Sequence, residues 1–143
     1  MTIKLIILLY SMFMIKHVDF RHVERGLAPY VASFFMRLDS EGVEYDIDGD
    51  VVVIFSDIHA EAPGKAAAAH GKNNDKLIFI QIDIRAWFIL TDIQKEWLVY
   101  HELSHDFLNL DHGEAIIMYP VLPINPTLLD LETAKRELIN IIK

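Results

Sequence analysis

Thr91-Asp92-Ile93-Gln94-Lys95-Glu96-Trp97-Leu98-Val99-Tyr100-His101-Glu102-Leu103-Ser104-His105 is the stretch whose reading decides the fold. Thr91 with Gln94 three residues later forms a capping-box pattern, in which two side chains satisfy helix N–H groups that lack intrahelical partners. Ile93, Trp97, Tyr100, Ser104 and Phe107 then recur on one side, so the pattern predicts a helix over 92–108 running through the core. His101 and His105 stand at i and i+4, about 40° apart around the axis and about 6 Å along it. Both imidazoles therefore point into one space.

Neutral imidazole is a good zinc ligand, and this spacing lets two rings grip one ion without backbone strain. Glu102, one step from His101, reaches a metal-bound water while staying outside the ligand set. Zinc lowers the pKa of such a water to about 7, and a carboxylate beside it can take the proton and pass it to a leaving amine. The His101-Glu102-Leu103-Ser104-His105 pattern thus predicts a zinc site with Glu102 as catalytic base for peptide hydrolysis.

A catalytic zinc usually has three protein ligands and one open position. After His105 the chain reads Asp106-Phe107-Leu108-Asn109-Leu110-Asp111-His112-Gly113. Asn is second only to Gly in accepting the left-handed conformation that ends a helix. A turn at Asn109 lets His112 swing back to the ion as third ligand. Asp111 competes, since spacing alone does not exclude it, and ligand type favours His112.

Outward from this helix the chain reads as a compact unit of helices and strands with no internal repeat. Leu27, Tyr30, Val31, Phe34, Phe35 and Leu38 follow helical spacing, with Pro29 in the first turn and Gly42 as a stop. Val51 to Phe55 is a β-branched run after the turn-rich Asp46-Ile47-Asp48-Gly49-Asp50, and Leu77 to Ile84 is a second strand. The Asp46, Asp48 and Asp50 alternation lacks the full calcium-loop pattern and reads as a solvated turn. Residues 61–76 are loop-like around the small-residue stretch Ala66 to His70. Asn125-Pro126-Thr127 opens a last helix, in which Leu128, Leu131, Leu138 and Ile142 share a face. The predicted order is helix, strand, loop or edge strand, strand, long helix, turn, helix.

The run from His101 through His112, followed by Ile117-Met118-Tyr119-Pro120, resembles the active site of the metzincin metalloproteases, closest to the matrixin branch. The resemblance implies a zincin-like α+β fold, with a mixed sheet packed on an N-terminal helix and the long helix, then a Met-turn and a C-terminal helix. It implies His101, His105 and His112 as zinc ligands, Glu102 as general base, and Met118 as the apolar floor beneath the ligands. Two departures stand out: the family's glycine position is Asn109, and one extra residue separates it from His105. Pro63 to His70, then Ile78 to Asp83 and Trp87, is similar in order to the matrixin edge strand, inner strand and following Trp. That similarity implies Ala68, Ala69 and His70 as substrate-binding positions on the edge, where an extended peptide adds by backbone hydrogen bonds. On composition alone the same stretch reads equally as an Ala-rich loop. Tyr119 is a candidate substrate contact, able to donate to an oxyanion or to pack. Glu132 and Glu137 keep open a thermolysin-like arrangement, in which a later helix supplies a carboxylate ligand.

Composition bounds the rest. At 143 residues with 52% hydrophobic and 24% charged residues, the chain has room for one ordered domain. The net charge of −8 and the absence of a Lys/Arg run exclude a nucleic-acid partner from the expectation. Absence of Cys removes disulfides, thiolate zinc sites and Cys nucleophiles. Of the seven His, His17, His22, His59 and His70 are scattered and read as surface or packed residues. Lys4 precedes the stretch Leu5 to Ile15, apolar apart from Ser11, which is too short to span a bilayer at roughly 20 residues. Residues 1–16 read as a signal peptide or membrane-tethering segment without a small-x-small cleavage pattern, followed by a metalloprotease domain over 17–143. The expected location is periplasmic, secreted or membrane-tethered, and cytoplasmic if that segment belongs to the fold. The expected function is zinc-dependent endopeptidase acting on protein or peptide. A zinc-dependent hydrolase of a non-peptide bond and an idle zinc-binding interaction domain are the alternatives.

Overall fold

The computed structural model describes residues 18–45, 47, 50–60, 64–70 and 77–143. The predicted N-terminal apolar segment and most of the Asp-rich turn lie outside them. The first helix, α1, is Ala28–Ser40, with Pro in its first turn. Gly42 ends it at φ 67°, where Gly42 N–H bonds Asp39 O and Val43 N–H bonds Leu38 O at 3.1 and 3.0 Å. That is the Schellman closure, which needs the left-handed backbone that glycine adopts without strain.

Three strands follow: β1 Asp50–Ser56, β2 Ala67–His70 and β3 Leu77–Asp83, in the order β1-β3-β2. β1 runs parallel to β3 and β2 antiparallel to it, so the sheet is mixed and β2 is an edge. The edge-strand reading of Ala66 to His70 therefore holds over Ala67–His70. Register places Val51 opposite Ile78 and Val53 opposite Ile80. All four are buried, the alternation expected of a sheet covered on one face. Beyond β1, a single parallel bridge joins Val23 to Val53.

Leu77 to Ile84 was expected as strand; the strand stops at Asp83 because that side chain caps a short helix, α2, Ile84–Ile89. Asp83 Oδ1 accepts the N–H groups of Arg85 and Ala86, each at 2.9 Å. Its Oδ2 accepts His59 N–H at 3.0 Å. The long helix, α3, is Asp92–Asp106, with the predicted Thr91/Gln94 capping box formed. It ends two residues short of expectation. The last helix, α4, is Leu128–Ile142, opened by a capping box of Thr127 with Asp130. Leu131 and Leu138 are buried as predicted, but Leu128 is 63% exposed. It sits in the first turn, before α4 reaches the core, and Ala134, Lys135 and Ile139 complete the buried face instead.

The fold is thus α+β, a three-stranded mixed sheet with four helices among the described residues. α3 packs on β2 and β3 on one side and on α1 on another. Phe34, Phe35, Tyr45, Tyr100 and Phe107 fill the junction, ring against ring at 5.2 to 6.2 Å. A polar cluster closes the far side of α3. Lys135 Nζ lies 2.6 Å from Glu96 and 3.3 Å from Glu132, over the Tyr100 ring. Ser33 Oγ donates to the same Glu96 oxygen at 2.6 Å. No helix of the described residues is long and apolar enough to cross a membrane.

Candidate metal centre

The end of α3 decides the site. Asn109 takes φ 58°, the left-handed turn expected of it, and Leu110 N–H reaches back to Ser104 O at 3.0 Å. The reversed chain then carries His112 to the helix. His112 Nε2 lies 3.2 Å from His101 Nε2, and His105 Nε2 lies 3.1 Å from the same atom. One nitrogen from each of the three rings falls within 4.8 Å of the other two, a group able to hold a metal ion.

Second contacts aim the rings. His101 Nδ1 bonds Ile117 O at 2.8 Å, and His105 Nδ1 bonds Leu110 O at 2.7 Å. A carbonyl can only accept, so Nδ1 carries the hydrogen in both rings and Nε2 presents its lone pair. Burial is the largest influence on His101. With His105 and His112 beside it, and against the Ile117 carbonyl, burial pushes the ring down to about 4 from 6.5. His101 is therefore neutral near pH 7 and ready to ligate.

Glu102, the next residue on α3, is buried and lines the same cleft as the three histidines. Burial pushes its carboxyl up to about 7 from 4.5, opposed by the Ala69 N–H and the Lys65 charge and aided by Asp106. The Ala69 contact follows from register. Asp83 N–H bonds Ala66 O, so Ala66 and Ala68 direct their backbone groups to β3, and Ala67 and Ala69 turn theirs outward.

These groups lie in a cleft of about 710 Å³. Gly64 to Ala69 line one side, the α3 residues the floor, and Tyr119 to Leu122 the other side. The sequence-predicted Ala68, Ala69 and Tyr119 line it; His70 does not. His70 lies at the end of β2, stacked on Phe79 and bonded to Gln81 Oε1 at 2.8 Å. Asp111 lines the cleft but stands outside the three-nitrogen group. Its N–H bonds the Glu114 carboxylate. Met118 is fully buried in the 3₁₀ turn Ile116–Met118. Glu132 bonds Arg37 and Lys135, and Glu137 bonds Ile116 N–H, so neither joins the group.

Sequence reasoning passed over Leu98, Asp106 and Lys65, which also line the cleft. Helical spacing could have found two of them, since Leu98 lies three residues before His101 and Asp106 four after Glu102. Asp106 Oδ2 accepts Phe79 N–H at 2.8 Å near the end of β2, while its Oδ1 is buried without a partner among the described residues. Burial pushes Asp106 up to about 6 from 3.8, against the Phe79 N–H and the charge of His70. No protein-family model, curated protein or solved structure matches the chain.

Proposed function

We propose that the chain is a zinc-dependent endopeptidase, a minimal zincin of metzincin, matrixin-like type. The observation that carries this reading is the convergence of three imidazoles beside Glu102 on the floor of an open cleft with a strand edge along one wall. Nitrogen donors of this kind suit zinc. Tetrahedral zinc with bonds of about 2.0–2.1 Å separates its ligand nitrogens by about 3.3 Å. The 3.1 and 3.2 Å separations here need little adjustment.

When bound, zinc supplies Lewis acidity, polarising a carbonyl and acidifying water. The chain's own residues supply the rest. His101, His105 and His112 would hold the ion through one ring nitrogen each. Glu102, with its carboxyl pushed up to about 7, takes a proton at a carboxylate oxygen near neutral pH and delivers it to the leaving nitrogen. The outward-turned backbone groups of Ala67 and the Ala69 carbonyl offer pairing to an extended peptide, the Ala69 N–H being bonded to Glu102. Tyr119, 62% exposed on the facing wall, and Leu98 bound the space for a substrate side chain.

The test is digestion of a denatured protein and a peptide library by zinc-loaded protein. Hydrolysis is expected, lost on chelation, regained with zinc, and absent in Glu102→Gln although zinc stays bound. Turnover of small esters or amides without peptide cleavage would replace the peptidase by a non-peptide hydrolase. Stoichiometric zinc with no hydrolysis of any kind would leave a zinc-binding interaction domain.

A further inference from the structure

We propose that Glu137 is a positioning residue for the metal centre, holding from α4 the turn whose carbonyl orients His101. The turn Ile116–Met118 begins at Ala115, whose side chain cannot cap it. The Ile116 N–H would otherwise be one of the orphan donors of a helical start. Glu137 Oε2 accepts it at 2.6 Å, a cap supplied from another helix.

One residue on, Ile117 O accepts the Nδ1 hydrogen of His101 at 2.8 Å. That carbonyl fixes both the tautomer and the ring plane of His101, and so the direction of Nε2. The turn's other bonds are local: Met118 N–H to Ala115 O at 2.9 Å, Tyr119 N–H to Ile116 O at 3.3 Å, and Gly113 N–H to Met118 O at 3.1 Å. Fully buried Ile117 and Met118 pack the turn against α3 and α4. Glu137 adds the directional hydrogen bond that holds the Ile116 end of the turn to α4, a helix anchored by buried Leu131, Ala134, Leu138 and Ile139. His105 differs, because its orienting carbonyl, Leu110 O, belongs to the chain reversal just after its own helix. The role assigned to Glu137 rests on the metal centre alone and is independent of the reaction proposed for it.

The experiment measures zinc affinity by chelator competition, together with hydrogen exchange of the Ile116 amide. Glu137→Ala removes the acceptor, and Glu137→Gln keeps an oxygen at the same reach without the charge. Thr127→Ala is the control, loosening the α4 start without touching the turn. We expect Glu137→Ala to bind zinc about 10- to 100-fold more weakly, the usual consequence of losing a partner that orients a ligand. Its Ile116 amide should exchange faster. Glu137→Gln and Thr127→Ala should keep near wild-type affinity. Should the alanine variant not fold, Glu137→Asp, one methylene too short, carries the same expectation. Unchanged affinity in Glu137→Ala, or equal weakening in Thr127→Ala, overturns the proposal. Absence of zinc binding in the wild type overturns the centre itself, a result separable from the variant comparison by the Ile116 exchange rates.

Discussion

Asp106→Asn should make the metal-free protein more stable, by a gain absent below about pH 4 that grows between about pH 4 and 6 and is full above that. The carboxyl lies beside Glu102 in the cleft, with one oxygen on Phe79 N–H and the other buried without a partner. Burial raises its folded pKa from 3.8 to about 6. A folded-state acid with raised pKa binds its proton more tightly than the unfolded chain does, so stability falls as pH rises between the two values. Two units at about 1.4 kcal/mol each give about 3 kcal/mol as an upper figure. The group borders an open cleft and is screened by water, which brings the expectation to about 1–2 kcal/mol. Asn keeps an acceptor for Phe79 N–H and cannot ionise. Urea denaturation of chelated wild type and variant at about pH 4, 6 and 8 reads the difference. His101 titrates alike in both proteins and cancels, whereas Glu102 loses the Asp106 charge that helps hold its carboxyl up, which adds to the gain at high pH in the same direction. The two should match near pH 4 and diverge to the full gain by pH 8. A difference that stays constant with pH, or a less stable variant at pH 8, refutes the reasoning.

Asn109→Gly should leave metal affinity intact, while Asn109→Val, forced to φ near 58°, should cost about 1–2 kcal/mol in urea denaturation and weaken metal binding. Lys135→Ala leaves Glu96 without its cationic partner at the α1–α3–α4 junction, with the Ser33 hydroxyl still bonded. It should lower unfolding free energy by about 2–3 kcal/mol, below the full figure for a buried pair because Glu96 keeps some exposure. His112→Ala should lose zinc on gel filtration followed by elemental analysis, whereas Asp111→Ala should retain it. The reverse result would exchange the two residues' roles.

Much of this was legible in the sequence where one local cause decides the outcome. The Thr91/Gln94 capping box, the Gly42 stop and the Asn109 turn each depend on a residue's own backbone preference. The His101/His105 pair follows from helical geometry alone. Other features depend on partners distant in sequence. Asp83 ends β3 early because its oxygens meet N–H groups of Arg85, Ala86 and the remote His59. No periodicity announces such a cap, so strand was carried one residue too far and α2 was missed. Leu128 fitted the apolar stripe of α4 yet is exposed, since the first turn of that helix precedes the core. Ligand type already favoured His112 over Asp111, and the chain reversal brings the His112 nitrogen into the three-nitrogen group while Asp111 stays outside it. Glu137 read as a rival ligand from its place on a late helix, and the structure puts its carboxylate on Ile116 N–H.

X-ray absorption spectroscopy of the zinc-loaded protein tests the central claim most directly, because it counts imidazoles on the ion. The account predicts one zinc per chain with three imidazole nitrogens at about 2.0–2.1 Å and one further light ligand. Two imidazoles, a first shell dominated by carboxylate, or no stoichiometric zinc would contradict it.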